Sequence, residues 1–295
     1  MTSQVSSPKT VLITGASRGI GLLTARSLLA EGYHVFAGMR APETRNRKAA
    51  SELQELANTN RGKLTILDLD VASDESVERA VATALSYGPL DALVNNAGVM
   101  PVGITEAFTM TQIKDLFEVN VYGVARTARA VLPAMRQNGS GIIINLSSAA
   151  GRLSLPFFGI YCSSKWAMES YVETLNIELE GSGVEAVIVQ PSAHRTDLVA
   201  TSPAPNDTDR ATAYGAMSEG GDRMLGMFQS AFDQNAEIND AQNVANAIQH
   251  LIEQDGPRPV RTVVGEDMGV DGINQAVAPF QNGLIDQLKT VYAPA

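Results

Sequence analysis

The chain contains 295 residues, of which 44% are hydrophobic and 18% charged, so its composition is that of a globular protein rather than a disordered or collagen-like one. The formal net charge of -10 argues against diffuse attraction to nucleic acid or to an anionic membrane. A single cysteine, Cys162, excludes a disulfide bond within the chain and favours a reducing compartment.

The N-terminal segment MTSQVSSPKT lacks a basic region followed by a long apolar stretch, so we expect a short disordered tail rather than a signal peptide. No run approaches the ~18 uninterrupted apolar residues that a membrane span requires. We therefore predict a cytoplasmic protein with no membrane partner, no nucleic-acid partner and no metal site.

Short apolar runs alternate with helical patterns along the chain. Strands are predicted at residues 10–14, 34–38, 63–67, 90–94, 141–146, 184–189 and 261–264. Helices are predicted between them, ending at about residue 31, at 41–58, from residue 73, at 111–137 and at 161–180. This alternation predicts an α/β fold, a parallel sheet of about seven strands with helices on both faces.

The segment at about 198–240 breaks the rhythm, because it is polar at first and then rich in methionine. Elsewhere we find no linker, no repeat of fixed period and no low-complexity tract. We therefore predict one domain over residues 1–295, with this segment inserted as a lid over a substrate.

A glycine-rich loop joins the first strand to the first helix. Glycine allows positive φ and close approach of a phosphate, while the helix N-terminus offers free N–H groups. The alternative is an ordinary glycine-rich turn, but the position at the start of the α/β alternation favours dinucleotide binding. The spacing is Gly-xxx-Gly-x-Gly, and the residues predicted to bind are Gly15, Ser17, Arg18, Gly19, Ile20 and Gly21.

The end of the second strand indicates which dinucleotide binds. NAD-binding units place an acidic residue there for the ribose 2′-hydroxyl, whereas this chain has Arg40. Arg40, with Arg18 in the loop, would attract a 2′-phosphate of roughly two negative charges. Unless both arginines are simply solvated, the sequence predicts NADP(H) as the cofactor.

Tyr161 and Lys165 lie four residues apart on a predicted helix and hence on the same face. A nearby ammonium stabilises a phenolate, so we expect Lys165 to lower the pKa of Tyr161 towards the neutral range. The alternative is a pair on the helix surface. Ser148 ends the fifth strand, where its hydroxyl could polarise a carbonyl, and Ser147 competes for that role.

Two further polar positions are candidates. Asn95, Ala97 and Gly98 follow the fourth strand, unless they only form an amide-rich turn. Asn120 lies within a long apolar helical segment, where a side-chain amide is costly unless it is hydrogen-bonded.

These motifs together resemble the short-chain dehydrogenase/reductase (SDR) family over about residues 9–197, and more loosely to the end of the chain. The matching positions are the loop 14–21, Asp70, Val71, the run 95–98, Asn120, Ser148, Tyr161, Lys165 and Pro191.

The resemblance implies a Rossmann-like doubly wound sheet and a catalytic tetrad of Asn120, Ser148, Tyr161 and Lys165. Ser148 rather than Ser147 matches the family serine by its distance from Tyr161. By the same resemblance, Asp70 and Val71 would contact the adenine, Lys165 the nicotinamide ribose, and Asn120 would hold a water leading from Lys165 to solvent. Arg18 and Arg40 match basic positions of NADP-preferring members.

Two positions depart from the family pattern. Pro191 is followed by Ser192 instead of glycine, and His194 stands where a small apolar residue is common. Pro191 and Thr196 still fit positions that bind the cofactor. His194 could touch the substrate or could be a structural side chain.

We therefore predict hydride transfer between NADP(H) and a carbonyl or secondary alcohol, on a medium-sized apolar substrate. The apolar candidates for the pocket, which could equally pack the core or a subunit contact, are Leu153, Leu155, Phe157, Phe158, Met217, Met224, Met227 and Phe228. Alternatives are a catalytically silent NADP-sensing protein and an SDR-type lyase or epimerase. The resemblance also implies a homodimer or homotetramer formed through the helices at 111–137 and 161–180.

Overall fold

A computed structural model describes residues 9–292, so residues 1–8 of the predicted ten-residue N-terminal tail lie outside the described residues, as do residues 293–295. The strands are β1 (Thr10–Thr14), β2 (His34–Met39), β3 (Lys63–Asp68), β4 (Ala92–Asn95), β5 (Gly141–Leu146), β6 (Val184–Pro191) and β7 (Arg261–Val264). The helices are α1 (Gly19–Ala30), α2 (Arg47–Thr59), α3 (Asp74–Leu85), α4 (Met110–Phe117), α5 (Gly123–Asn138), α6 (Gly159–Glu178), α7 (Asp197–Ala200), α8 (Thr208–Ala213), α9 (Gly220–Gln234), α10 (Ala241–Glu253) and α11 (Val270–Tyr292).

The strands form one parallel sheet in the order β3-β2-β1-β4-β5-β6-β7. This confirms the predicted Rossmann-like α/β fold. The strand order reverses between β1 and β4, so a crevice opens at the carboxyl ends of these two strands, where ligands bind in such sheets.

Alternation along the strands fills two apolar layers. In β1, Val11 and Ile13 pack on one face with Leu28 of α1 and Ile248 of α10. Leu12 points to the other face, where the layer includes side chains from α3, α5 and α6. Burial on both faces explains why the strands read as continuous apolar runs.

The helix predicted over residues 111–137 is present but contains one turn with a different hydrogen-bond pattern. The segment forms α4 and α5, joined by a π-helical turn over Glu118–Tyr122. Within this turn Asn120 is buried, and its side chain bonds the backbone of Val99 instead of interrupting the helix. The turn thus follows from a tertiary contact.

The helix predicted from residue 41 begins only at Arg47. Ala41 has a positive φ of 46°, and Pro42 disfavours helical backbone at the residue before it. The Ala41 N–H donates to Asp68 Oδ1 at 2.9 Å, and Asn46 caps the loop by donating to the Arg40 carbonyl. The loop after β2 is therefore held against the end of β3.

The C-terminal helices were not predicted, although α10 carries Val244, Ile248 and Leu251 at helical spacing and buries all three. Across residues 9–292, no helix is both long enough and apolar enough to cross a membrane.

The central strand β5 offers a test of the packing. Ile143 is fully buried and pairs with Leu93 and Ala186, so Ile143→Ala should lower the free energy of unfolding by about 2–5 kcal/mol, measured by urea denaturation. The control is Ile238→Ala. Ile238 is 49% exposed, so this substitution should change the free energy of unfolding by about 0.5 kcal/mol or less. Equal losses in the two variants would contradict the assigned core.

Candidate active site

One cavity lies at the carboxyl ends of the central strands. It brings together most of the residues predicted from the sequence to bind cofactor or to act in catalysis. Of these, its walls include Gly15, Ser17, Arg18, Gly19, Ile20, Arg40, Asp70, Val71, Ala97, Gly98, Ser148, Tyr161, Lys165, Pro191 and Thr196.

The glycine-rich loop is shaped by contacts with the chain after β4. Gly15 has a φ of +68°, and a Cβ there would lie 3.0 Å from the Ala97 backbone. The Asn96 amide donates to the carbonyls of Thr14 and Gly15 at 2.9 and 3.1 Å. Gly21 does not line the cavity, but a Cβ there would lie 2.4 Å from Asn96 Nδ2. Gly21 therefore allows close packing of α1.

The N-terminus of α1 faces the cavity without a competing anion. Gly19 and Ile20 begin this helix at the cavity wall, and no acidic residue occupies its first turn. No side chain caps the helix, so its first N–H groups remain available to a ligand. Together with the space that the glycines leave, this end of the cavity fits a phosphate-containing cofactor.

Arginines surround the end of the cavity near β2. Arg18 and Arg40 are exposed there, as the sequence predicted, and Arg18 donates to Thr201 Oγ1 at 3.4 Å. Arg45 and Asn46 also line this end, and sequence reasoning missed both because it assigned them to a helix. The available signal was Pro42, which argues against helix at Ala41 and so for a loop before α2.

Asn95 is not at the cavity, contrary to the prediction that it binds cofactor. Its side chain is buried, donates to Asn145 Oδ1 at 2.9 Å and accepts from Thr127 Oγ1 at 2.6 Å. The amide therefore links β4, β5 and α5. Its neighbour Asn96, which follows β4, lines the cavity instead, because its amide bonds the glycine-rich loop.

The two serines after β5 have different surroundings. Ser147 Oγ donates to the buried Glu169 carboxylate at 2.6 Å. Ser148 Oγ accepts from the Ala150 N–H at 3.2 Å, and its hydroxyl lies near enough to Tyr161 to lower the pKa of that phenol. The geometry therefore favours Ser148 as the partner of Tyr161, the choice that the family pattern also implied.

Tyr161 and Lys165 are close, as their spacing on α6 predicted. Lys165 Nζ lies 5.9 Å from the centroid of the Tyr161 ring, and both residues are buried. Lys165 Nζ donates to the Leu146 carbonyl at 2.7 Å, which ties α6 to the end of β5.

The burial of Tyr161 acts against the predicted lowering of its pKa. Burial raises the pKa of Tyr161 to about 12, and the Ser148 hydroxyl only partly opposes this effect. Burial also lowers the pKa of Lys165 to about 8, against the favourable charge of Glu169. Loss of hydration thus disfavours the charged form of each group, and a pKa of about 12 leaves Tyr161 protonated at neutral pH.

Asn120 lies behind the cavity wall rather than on it. Its Oδ1 accepts from the Val99 N–H at 2.9 Å, and its Nδ2 donates to the Val99 carbonyl and to Ser164 Oγ. A Cβ at Gly98 would lie 3.5 Å from Asn120 Oδ1 and 3.8 Å from Lys165 Nζ. Gly98 thus separates these two side chains, and a role for Asn120 in catalysis stays a prediction.

The wall beside Tyr161 is apolar. It includes Leu155, Phe158 and Phe228 of the predicted pocket residues, together with Leu198 and Val199 of α7. The other candidates do not line it, namely Leu153, Phe157, Met217, Met224 and Met227. Phe232 and Met268 also line the cavity. They were not predicted, because they lie far from Tyr161 in the sequence.

His194 is 6% exposed at the cavity wall, and its Nδ1 bonds the Ser192 carbonyl at 3.1 Å. Because a carbonyl only accepts, Nδ1 carries the proton. Burial lowers the pKa of His194, so the ring is neutral at pH 7. Cys162 is buried beside Tyr161, and burial raises the pKa of its thiol.

Comparisons with known proteins agree with this geometry. Residues 9–207 match the family model described as short chain dehydrogenase. An uncharacterized oxidoreductase of Bacillus subtilis, YusZ, is 32% identical over 274 residues, which cover 92% of this chain and 94% of that protein.

Solved structures are similar over most of the chain. A short-chain dehydrogenase from Streptomyces avermitilis is 31% identical, with a TM-score of 0.75 over 99% of this chain and 100% of that one. An alcohol dehydrogenase from Thermococcus sibiricus, solved with 5-hydroxy-NADP, is 27% identical, with a TM-score of 0.67 over 88% of this chain and 97% of that one. Other similar folds were solved with NAD or with NADP.

The buried ammonium of Lys165 should reduce stability. Its pKa is about 8 in the folded protein, below the ordinary lysine value of 10.5 that holds in the unfolded chain. The cost of its charge is therefore fully present below pH 8 and disappears as the pH rises to 10.5. Lys165→Met should raise the free energy of unfolding at pH 7 by about 1–3 kcal/mol, and by less at pH 10.

Urea denaturation at both pH values would measure this effect. The control is Lys114→Met, because Lys114 is exposed and its replacement should leave stability nearly unchanged at either pH. A loss of stability in Lys165→Met at pH 7, or a gain that does not depend on pH, would contradict the assigned burial cost.

Proposed function

The chain belongs to the short-chain dehydrogenase/reductase family of oxidoreductases, as its motifs predicted, and from this premise we propose that it is an NADP(H)-dependent carbonyl reductase or alcohol dehydrogenase. The observation that carries the proposal is that one and the same cavity joins the glycine-rich loop and its arginines to Ser148, Tyr161 and Lys165. This arrangement supports a cofactor and a small carbonyl compound meeting beside one buried phenol.

The choice of NADP(H) over NAD(H) rests on charge at the end of β2. Arg40 occupies the position where an acidic residue would bind the ribose 2′-hydroxyl of NAD, and Arg18 and Arg45 line the same end of the cavity. Guanidinium groups offer paired donors that suit the oxygens of a 2′-phosphate. The pyrophosphate would lie against the N-terminus of α1, and the adenine near Asp70 and Val71.

When bound, the reduced nicotinamide supplies the hydride that a carbonyl carbon accepts. Ser148 donates a hydrogen bond to the carbonyl oxygen, and Tyr161 delivers the proton that the resulting alkoxide needs. Lys165 orients the nicotinamide ribose, and its positive charge stabilises the phenolate that Tyr161 leaves. Because Tyr161 is protonated at neutral pH, the site holds the form that reduction requires.

The apolar wall supports a medium-sized apolar ketone or aldehyde, or the corresponding secondary alcohol, as substrate. We include in the proposal one catalytic domain over residues 1–295 with a substrate lid at about 198–240. Two contacts support the lid. Ser202 Oγ donates to the Met100 carbonyl at 2.6 Å, and Gly220 leaves room for the Phe157 ring, which a Cβ would approach to 2.0 Å.

Replacement of the phenol tests the proposed chemistry. Tyr161→Phe should bind NADPH as wild type does but lose turnover by about 10²- to 10⁴-fold, because no acid remains to protonate the alkoxide. Turnover is measured from the nicotinamide absorbance with a panel of ketones and aldehydes, and binding from nicotinamide fluorescence.

The control is Tyr171→Phe, because Tyr171 lies on the same helix away from the cavity and should be dispensable. Turnover near that of wild type in Tyr161→Phe would refute the assignment. Binding of NADPH without stoichiometric oxidation by any carbonyl would indicate a sensing protein, a lyase or an epimerase.

The arginine at the end of β2 tests the choice of cofactor. Arg40→Ala should weaken NADPH binding by about tenfold or more while leaving NADH nearly unaffected, because only NADPH carries the 2′-phosphate. Titration of both cofactors measures the difference. Arg47→Ala, which alters an exposed arginine outside the cavity, serves as control, and equal losses for the two cofactors in Arg40→Ala would overturn the phosphate assignment.

A further inference from the structure

A buried carboxylate lies directly behind the proposed catalytic residues. Glu169 follows Lys165 by one turn of α6, and its side chain is only 2% exposed. Its Oε1 accepts from Ser147 Oγ at 2.6 Å and from Gln190 Nε2 at 2.9 Å, while Oε2 accepts from Gln190 Nε2 and Arg261 Nε, both at 3.0 Å. A buried charge with this many partners is a built site rather than a chance contact.

These partners join α6 to three neighbouring strands. Ser147 immediately follows β5, Gln190 is in β6 and Arg261 is in β7. Arg261 also makes a bidentate pair with Glu173, at 2.8 and 2.9 Å, one further turn along α6. The two carboxylates therefore share one cation, but only Glu169 reaches the serine.

The turn that carries Ser148 closes over Glu169. A Cβ at Gly151 would lie 2.1 Å from Glu169 Oε1 and 2.5 Å from Ser147 Oγ, so glycine is needed for this approach. Within the turn, the Gly151 N–H donates to the Ser148 carbonyl at 2.8 Å, and the Ala150 N–H donates to Ser148 Oγ. The position of Ser148 Oγ thus depends on a turn that rests on the carboxylate.

The charge of Glu169 also acts on the neighbouring residue of the helix. Lys165 is buried without a carboxylate bonded to its Nζ, which instead donates to the Leu146 carbonyl. The negative charge of Glu169 raises the pKa of Lys165 and so opposes the lowering caused by burial. Glu169 thereby acts on the two catalytic candidates next to Tyr161, on Ser148 through the turn and on Lys165 through its negative charge.

We propose that Glu169 is a positioning residue for the reaction, because its carboxylate holds Ser147 and thereby fixes the turn that presents Ser148 to the substrate carbonyl. This inference rests on the proposed function for its catalytic consequence. The anchoring of the turn can be tested without turnover.

The test compares Glu169→Gln with Glu173→Gln. The first substitution keeps the shape of the side chain but removes its charge. The new NH2 group would also meet hydrogen-bond donors of Gln190 and Arg261 where the carboxylate had offered an acceptor. The second removes a carboxylate from the same cation without touching Ser147. With NADPH and benzaldehyde as probes, Glu169→Gln should lower kcat by about 10- to 100-fold, with KM and NADPH affinity changed by about twofold at most.

Glu173→Gln should leave kcat nearly unchanged, even though it also disrupts a partly buried ion pair. Ser147→Ala should lower kcat in the same direction as Glu169→Gln. The double variant should fall by less than the product of the two single effects, because both changes weaken the same contact between Ser147 Oγ and the side chain at position 169.

Hydrogen–deuterium exchange gives a reading that does not depend on activity. Peptides covering residues 147–152 should exchange faster in Glu169→Gln than in wild type, and Glu173→Gln should not show this increase. Unchanged exchange in Glu169→Gln, or an equal fall of kcat in the two glutamate variants, would overturn the inference.

The two proposals fail in different ways. If wild type oxidises no NADPH with any carbonyl but exchange rises only in Glu169→Gln, the anchoring of the turn holds and the reductase assignment fails. If Tyr161→Phe abolishes turnover while Glu169→Gln preserves kcat and exchange, the reductase stands and Glu169 is not a positioning residue.

Discussion

The hydrogen bond from Lys165 Nζ to the Leu146 carbonyl is the contact on which the site depends. It ties the helix that carries Tyr161 to the end of β5, immediately before the turn that carries Ser148. The Lys165 ammonium is thereby held beside the Tyr161 phenol. Its partner is a carbonyl, which, unlike a carboxylate, does not neutralise its charge.

Burial gives this arrangement its chemical character. Removal from water raises the pKa of Tyr161 and lowers that of Lys165, so each neutral form becomes easier to populate than in solvent. Tyr161, a proton donor, thus lies next to Lys165, a cation that can lose its proton more easily than a lysine in water. Glu169 limits that release by holding a negative charge one helical turn away.

The fold could be predicted from the sequence because its signals are local. Each buried strand is a short apolar run, and β1, β5 and β7 begin and end where the sequence predicted. The π-helical turn around Asn120 was not predictable in this way, since it depends on an amide bonding Val99 of another segment. Pro42 argues against helix at Ala41, but the start of α2 at Arg47 was not predictable, because the loop before it is held by contacts with other segments, such as Ala41 with Asp68.

Only part of the candidate site could be predicted from the sequence. Motif spacing identified the glycine-rich loop and the residues around Tyr161, which the structure gathers at one cavity. It did not identify Arg45, which reaches the cavity through a loop, or separate Asn95 from Asn96, of which only Asn96 lines the cavity. The direction of the Tyr161 pKa shift was beyond sequence reasoning, because burial is a property of everything packed around the ring.

The arginine-lined end of the cavity stands out against a chain whose net charge is -10. At a distance, the whole protein repels an anionic dinucleotide, and attraction by Arg18, Arg40 and Arg45 begins only within about 10 Å at ordinary ionic strength. Added salt weakens both the long-range repulsion and the short-range attraction. It should therefore raise the association rate of an anionic dinucleotide and also raise its dissociation rate. For the proposed NADP(H), selection against NAD(H) would therefore act mainly on the dissociation rate of the bound cofactor.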